Sequence, residues 1–152
     1  MPHPGILFMR MIAPLPLSWI RGLGAVLGRM LYPLVAPRRK VVLANLALCF
    51  PERSEAERES LARQSFVFYA QSFLDRAWLW HGDPDVVRSR LKITGAVQEL
   101  QGEEATIIFA PHFYGLDAGA TALSQQIDRR YTTIYTPQPS PAIDAWIRDS
   151  RR

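Results

Sequence analysis

The stretch ATIIFAPHFYGLDAG, residues 105 to 119, sets His112 directly after an apolar run and Asp117 five positions further on. A histidine with an ordinary pKa near ~6.5 can take a proton at neutral pH, and a carboxylate on its other nitrogen fixes the tautomer and stabilises the imidazolium. In one continuous helix, residues five apart lie about 140° apart around the axis, so the pair cannot share a face if both are helical. Pro111 favours extended backbone around itself, and Gly115 permits a sharp bend. The spacing therefore predicts His112 in a strand-to-helix turn, with Asp117 reaching back to it from the first turn of the helix. No Gly-x-Ser-x-Gly elbow is present and Cys49 lies in another segment, so the expected nucleophile is the substrate's own hydroxyl, which suits one-step acyl transfer. On spacing alone, a packed structural histidine fits the pattern equally well.

The other candidates are weaker. His3 and His81 have no carboxylate at useful spacing and read as structural, and three scattered histidines supply no metal-ligand cluster. No cofactor or metal is expected. The single cysteine, Cys49, excludes an internal disulfide and reads as a small buried hydrophobe.

The elements that must position the pair follow from periodicity and punctuation. Ser54 with Glu57 forms a capping box opening a long helix to about Trp80, with Leu61, Phe68, Phe73, Leu74 and Trp78 as its apolar stripe. Asp83 followed by Pro84 caps a short helix. RLKITG, ATIIFA and YTTIY read as strands; AVQELQG, YGLDAGATALSQQI and SPAIDAWIRDSRR read as helices. Strand, helix, strand in that order predicts an α/β fold with a parallel sheet, and His112 then stands at the carboxyl edge where such sheets bind ligands.

The 152 residues are 48% apolar and 21% charged, a globular composition with a net charge of +4. Residues 1 to 51 hold no Asp or Glu but carry Arg10, Arg21, Arg29, Arg38, Arg39 and Lys40. The apolar stretch over residues 6 to 35 is interrupted by arginines and by Pro14, Pro16 and Pro33, so it falls short of the ~18 uninterrupted residues of a spanning helix. It predicts a membrane-associated segment over residues 1–36, with Trp19 and Tyr32 at the interface and Arg38, Arg39 and Lys40 facing anionic lipid. Arginines spread among leucines do not make a nucleic-acid arm.

RRKVVLANLALCFPERSEAERE, an aromatic-rich helix, KITG and APHFYGLDAG, in that order, resemble the lipid A biosynthesis acyltransferases, the lauroyl and myristoyl transferases of Gram-negative bacteria. The Arg-Arg…Asn-Leu…Cys-Phe-Pro-Glu block is the specific part of the resemblance. The His-x4-Asp box is shared with the wider glycerolipid acyltransferases; here Pro111 precedes the histidine where Asn is frequent. The resemblance implies an enzyme of the cell inner membrane, active at the cytoplasmic face, that moves a fatty acyl group from acyl carrier protein to a hydroxyl of a lipid A precursor. It implies His112 as general base and Asp117 as its orienter, and membrane lipids as a further partner. It also implies amino-terminal membrane-associated helices followed by the first part of a glycerolipid-acyltransferase-like sheet over residues 37–152, incomplete and inactive alone. Arg148, Arg151 and Arg152 are then expected to begin a substrate-phosphate or carrier-binding region, and Arg129 and Arg130, with those arginines, to offer a basic rim to the acidic carrier protein. Two alternatives stand beside this: a superfamily transferase acting on another lipid or glycolipid hydroxyl, and a membrane-associated module in which His112 and Asp117 are structural.

Overall fold

The computed structural model describes residues 3–102 and 104–150. In chain order its helices are α1 (Pro4–Ile12), α2 (Leu17–Leu34), α3 (Ala36–Cys49), α4 (Glu55–His81), α5 (Pro84–Arg90), a 3₁₀ turn at Val97–Leu100, α6 (Leu116–Gln126) and α7 (Pro141–Ser150). Residues 15–75 form one compact unit, and residues 1–14 with 76–152 form another.

Local chemistry sets several helix starts. Ser54 N donates to Glu57 Oε2 at 2.8 Å and Glu57 N donates to Ser54 Oγ at 3.3 Å, the reciprocal pair expected of a capping box. The bonds that Ser54 N and Ser54 Oγ donate to its Oε2 hold the Glu57 carboxyl below the usual carboxylate range. Asp83 Oδ1 accepts from Asp85 N at 2.9 Å and Val86 N at 3.1 Å, and so caps α5. His3 caps α1 by accepting from Gly5 N at 3.1 Å, the structural role expected of it. Pro33 and Pro37 flank the break between α2 and α3: Pro33 removes a backbone donor from the last turn of α2, and Pro37 stands in the first turn of α3, where its missing N–H has no ladder partner to lose.

In the unit of residues 15–75, α2 buries Ile20, Gly24, Gly28 and Tyr32, spaced four apart on one face. The glycines bring its backbone against α4: a Cβ on Gly28 would stand 2.4 Å from Val67 Cα, and one on Gly24 would stand 2.8 Å from Gln71 Cα. The opposing face of α4 buries Ala62, Phe66, Ala70 and Leu74. Tyr32 meets Phe66 edge-on at 5.2 Å, while the Arg63 and Arg39 guanidiniums lie 4.5 Å and 5.4 Å from the Tyr32 ring centre. Leu31, Val35, Val42, Leu43 and Leu46 pack around this cluster. Arg21 Nη1 closes the unit on Asp75 Oδ2 at 2.9 Å.

Three expectations are corrected. The α/β sheet is absent: among the described residues there is no strand, and the chain is helical with irregular connections. The segments read as strands are tied by side chains instead of a ladder. Arg129 Nη1 reaches Thr106 Oγ1 at 3.2 Å, Tyr131 Oη donates to the Ile127 carbonyl at 3.3 Å, and Tyr135 Oη donates to Asp144. Ile107, Phe109 and Ile134 stay almost fully exposed. Apolar run length shows that a segment can pair; a parallel ladder also needs a neighbouring strand and a covering layer on each face, and neither is formed here. The membrane helices are corrected as well, since no described helix is long and apolar enough to cross a membrane. One face of α2 is committed to α4 and Arg21 to Asp75, although Trp19, Leu23, Val26, Met30 and Leu34 remain exposed. Lastly, Cys49 is exposed, not buried.

Candidate active site

The His-x4-Asp box sits where a loop turns into α6. Phe113 N donates to Pro111 O at 2.8 Å, closing a three-residue turn around His112, and among the described residues no non-glycine residue has positive φ, so the turn is of the inverse γ kind. Gly115 then takes φ +86° and ψ +11°, the left-handed conformation, as the residue preceding the helix. The bend expected at Gly115 is therefore present. Its carbonyl accepts from Gly119 N at 2.9 Å and begins the helical ladder.

Asp117 lies in the first turn of α6, where backbone N–H groups favour a carboxylate. Its Oδ2 accepts from Arg76 Nε at 2.7 Å, with the two side chains 12% and 24% exposed. That length marks a charge-assisted bond in a partly desolvated setting. Thr121 Oγ1 donates to the Asp117 carbonyl at 2.8 Å and secures the turn beneath it. His112 is exposed, and among the described residues no hydrogen bond joins it to Asp117. His112 thus lies in the loop before α6 and Asp117 in its first turn, but no strand leads into that turn, and the carboxylate meets Arg76 where the spacing predicts that it reaches back to His112.

Arg76 was not visible as a site residue in the sequence. It is 41 positions from Asp117, and the only local signal is its place one helical turn before Trp80. The guanidinium carbon lies 5.2 Å from the Trp80 ring centre. Trp80 meets Trp146 of α7 at 4.7 Å with the rings at 73°, and Trp146 Nε1 donates to His81 Nε2 at 2.9 Å. His81 has the structural role expected of it. Burial first, and the Arg10 charge second, push its pKa below the ordinary histidine value.

The expected substrate-binding arginines are only partly in view. Arg148 is exposed, with Nη1 3.8 Å from Asp144 Oδ2, while Arg151 and Arg152 lie outside the described residues. Arg129 is turned onto Thr106 and the Glu104 carbonyl, whereas Arg130 is exposed. The unit of residues 15–75 has clefts away from this turn. One, of about 500 Å³, is lined by Leu43, Ala47, Glu55, Ala56, Arg58 and Glu59; another, of about 390 Å³, by Arg29, Tyr32, Arg63, Gln64, Val67 and Phe68. Neither includes His112 or Asp117. Among the described residues no group of three His, Cys, Asp or Glu side chains could hold a metal ion.

Comparison with known proteins bears on this site. Residues 3–152 match the sequence model of the bacterial lipid A biosynthesis acyltransferases. The chain is 31% identical to the lipid A biosynthesis myristoyltransferase of Escherichia coli (strain K12) over 152 residues, which is 97% of this chain and 47% of that protein. It is 30% identical to the lipid A biosynthesis lauroyltransferase of the same strain over 150 residues, 95% of this chain and 47% of that one. Lipid A biosynthesis acyltransferase 1 of Shigella flexneri is similar at 31% identity over 152 residues, again 97% and 47% of the two chains. The chain therefore spans about half the length of the curated relatives it matches. No solved structure matches it. With the family's model met from residue 3 to residue 152, the chain belongs to the bacterial lipid A biosynthesis acyltransferase family.

Proposed function

We propose that the chain carries the proton-transfer centre of a transferase moving a fatty acyl group from acyl carrier protein to a hydroxyl of a lipid A precursor. His112 is the general base. An imidazole nitrogen takes the proton of the acceptor hydroxyl as that oxygen attacks the thioester carbonyl carbon; the carbon–sulfur bond then breaks, and the imidazolium returns the proton to the departing thiolate. Asp117 orients the imidazole and stabilises its charged form, and no metal or cofactor is required for such a step. Arg148 and the terminal Arg151 and Arg152 serve the anionic substrate, and Arg130 the acidic carrier protein. The reaction takes place at the cytoplasmic face of the inner membrane.

The observation that carries this reading is the turn at Gly115. It leaves His112 in an exposed loop and Asp117 in the first helical turn, an arrangement compatible with a carboxylate that reaches the imidazole. Membership in the acyltransferase family supports the chemistry. The reading is tested with Asp117→Asn in the gene product as the cell makes it, because the amide keeps the shape but loses the charge. Acyl transfer to the lipid A precursor is expected to fall by about 10² to 10⁴ in kcat at unchanged circular dichroism; wild-type kcat in that variant would remove Asp117 from the mechanism.

A further inference from the structure

The Asp117 carboxylate is nearly buried, a position that is costly for a lone charge. The group that meets it is a guanidinium, which is planar, permanently charged and able to stack on an aromatic ring while donating along its edge. Arg76 does both at once: Nε reaches Asp117 Oδ2 at 2.7 Å, and its guanidinium carbon lies 5.2 Å from the centre of the Trp80 ring. The ring is held in turn, since Trp80 packs edge-on against Trp146, whose indole N–H is anchored on His81 Nε2 at 2.9 Å. Side chains of α4 and α7 therefore fix the guanidinium, and the guanidinium fixes the carboxylate.

We propose that Arg76 is a positioning residue of the acyl-transfer site. It acts through Asp117, by keeping that carboxylate charged and in one orientation, and does not itself touch the acyl group. The proposal rests on the reading of His112 and Asp117 given above. A carboxylate has about four acceptor positions, so the bond from Arg76 at Oδ2 is compatible with a second bond from an imidazole. A lysine would keep the charge but lose both the stacked plane and the Nε donor, so the site calls for arginine in particular.

The test compares Arg76→Gln, Arg76→Lys and, as reference, His112→Ala in the gene product as the cell makes it. Initial rates are measured with acyl carrier protein thioester and lipid A precursor across pH, and folding is followed by circular dichroism. Arg76→Gln is expected to lower kcat by about 10- to 100-fold with KM little changed, in line with groups that orient a reacting side chain. The acid limb of its kcat/KM profile should move to higher pH, because a lost cation favours the protonated forms nearby. Arg76→Lys should recover part of kcat and return the acid limb toward its wild-type position. Wild-type kcat and pH profile in Arg76→Gln, with His112→Ala inactive, would overturn the Arg76 proposal and leave the site intact. Activity in His112→Ala would overturn the site and this proposal with it. If Arg76→Gln does not fold, Arg76→Lys decides: reduced kcat in folded protein supports the proposal, and wild-type kcat ends it.

Discussion

His81 shows how far residue type can be read and where it stops. Its lack of a matched carboxylate marks it as structural, but its partner Trp146 lies 65 positions away and is set only by the fold. Because Nε2 accepts the indole N–H, the imidazole must be unprotonated at that nitrogen, and burial favours the same neutral state. The folded pKa is thus depressed below the unfolded value near ~6.5, so the unfolded chain binds the extra proton first. The stability carried by this contact is present above that value and is lost as pH falls through the folded pKa. Unfolding free energy measured from pH 7 down to 5 should decline, and His81→Gln, which keeps an acceptor without titrating, should remove part of that slope; an unchanged slope would contradict the account. Arg76 is the matching case at the candidate site. Arginine before an aromatic helix end is unremarkable locally, and its pairing with Asp117 arises only from a contact between distant segments.

At the scale of elements, features that depend on neighbours in sequence are the ones that were legible. The Ser54–Glu57 box, the Asp83 cap, the start of α7 at Pro141 and the bend at Gly115 each rest on bonds within a few residues. Gly115 has a direct test. Nothing lies within 4 Å of a Cβ placed there, so Gly115→Ala meets only the left-handed backbone penalty, and a stability loss of about 1–2 kcal/mol is expected in chemical denaturation. Gly28 is the opposite case, because its φ is helical and the cost is steric. A methyl 2.4 Å from Val67 Cα must push α2 from α4, so Gly28→Ala should destabilise by about 1–3 kcal/mol or more. If Gly28→Ala were as stable as the wild type, the close approach of the two helices would be wrong. The stripe of α4 was legible only in part: Leu74 and Trp78 are buried as expected, but Phe68 and Phe73 are exposed and the buried positions beside them are alanines. Close helix packing selects small residues, which hydrophobic spacing overlooks.

Across the whole molecule, what could not be read was long-range pairing. ATIIFA and YTTIY have strand composition, yet a ladder is a property of two segments, and here the first is held through Thr106 and the second through Tyr131 and Tyr135. Hydrogen exchange distinguishes the outcomes: amides of residues 107–110 should exchange at nearly unprotected rates while those within α4 are retained, and protection across 107–110 would restore the sheet. The excess of positive charge in residues 1 to 51, by contrast, is a property of composition alone and was legible at once. The proposed function rests on one group, the His112 imidazole. The most direct measurement is acyl transfer from carrier protein to a lipid A precursor by His112→Ala in the gene product as the cell makes it, recovered with wild-type circular dichroism. The account predicts that transfer is abolished; transfer at the wild-type rate would contradict it.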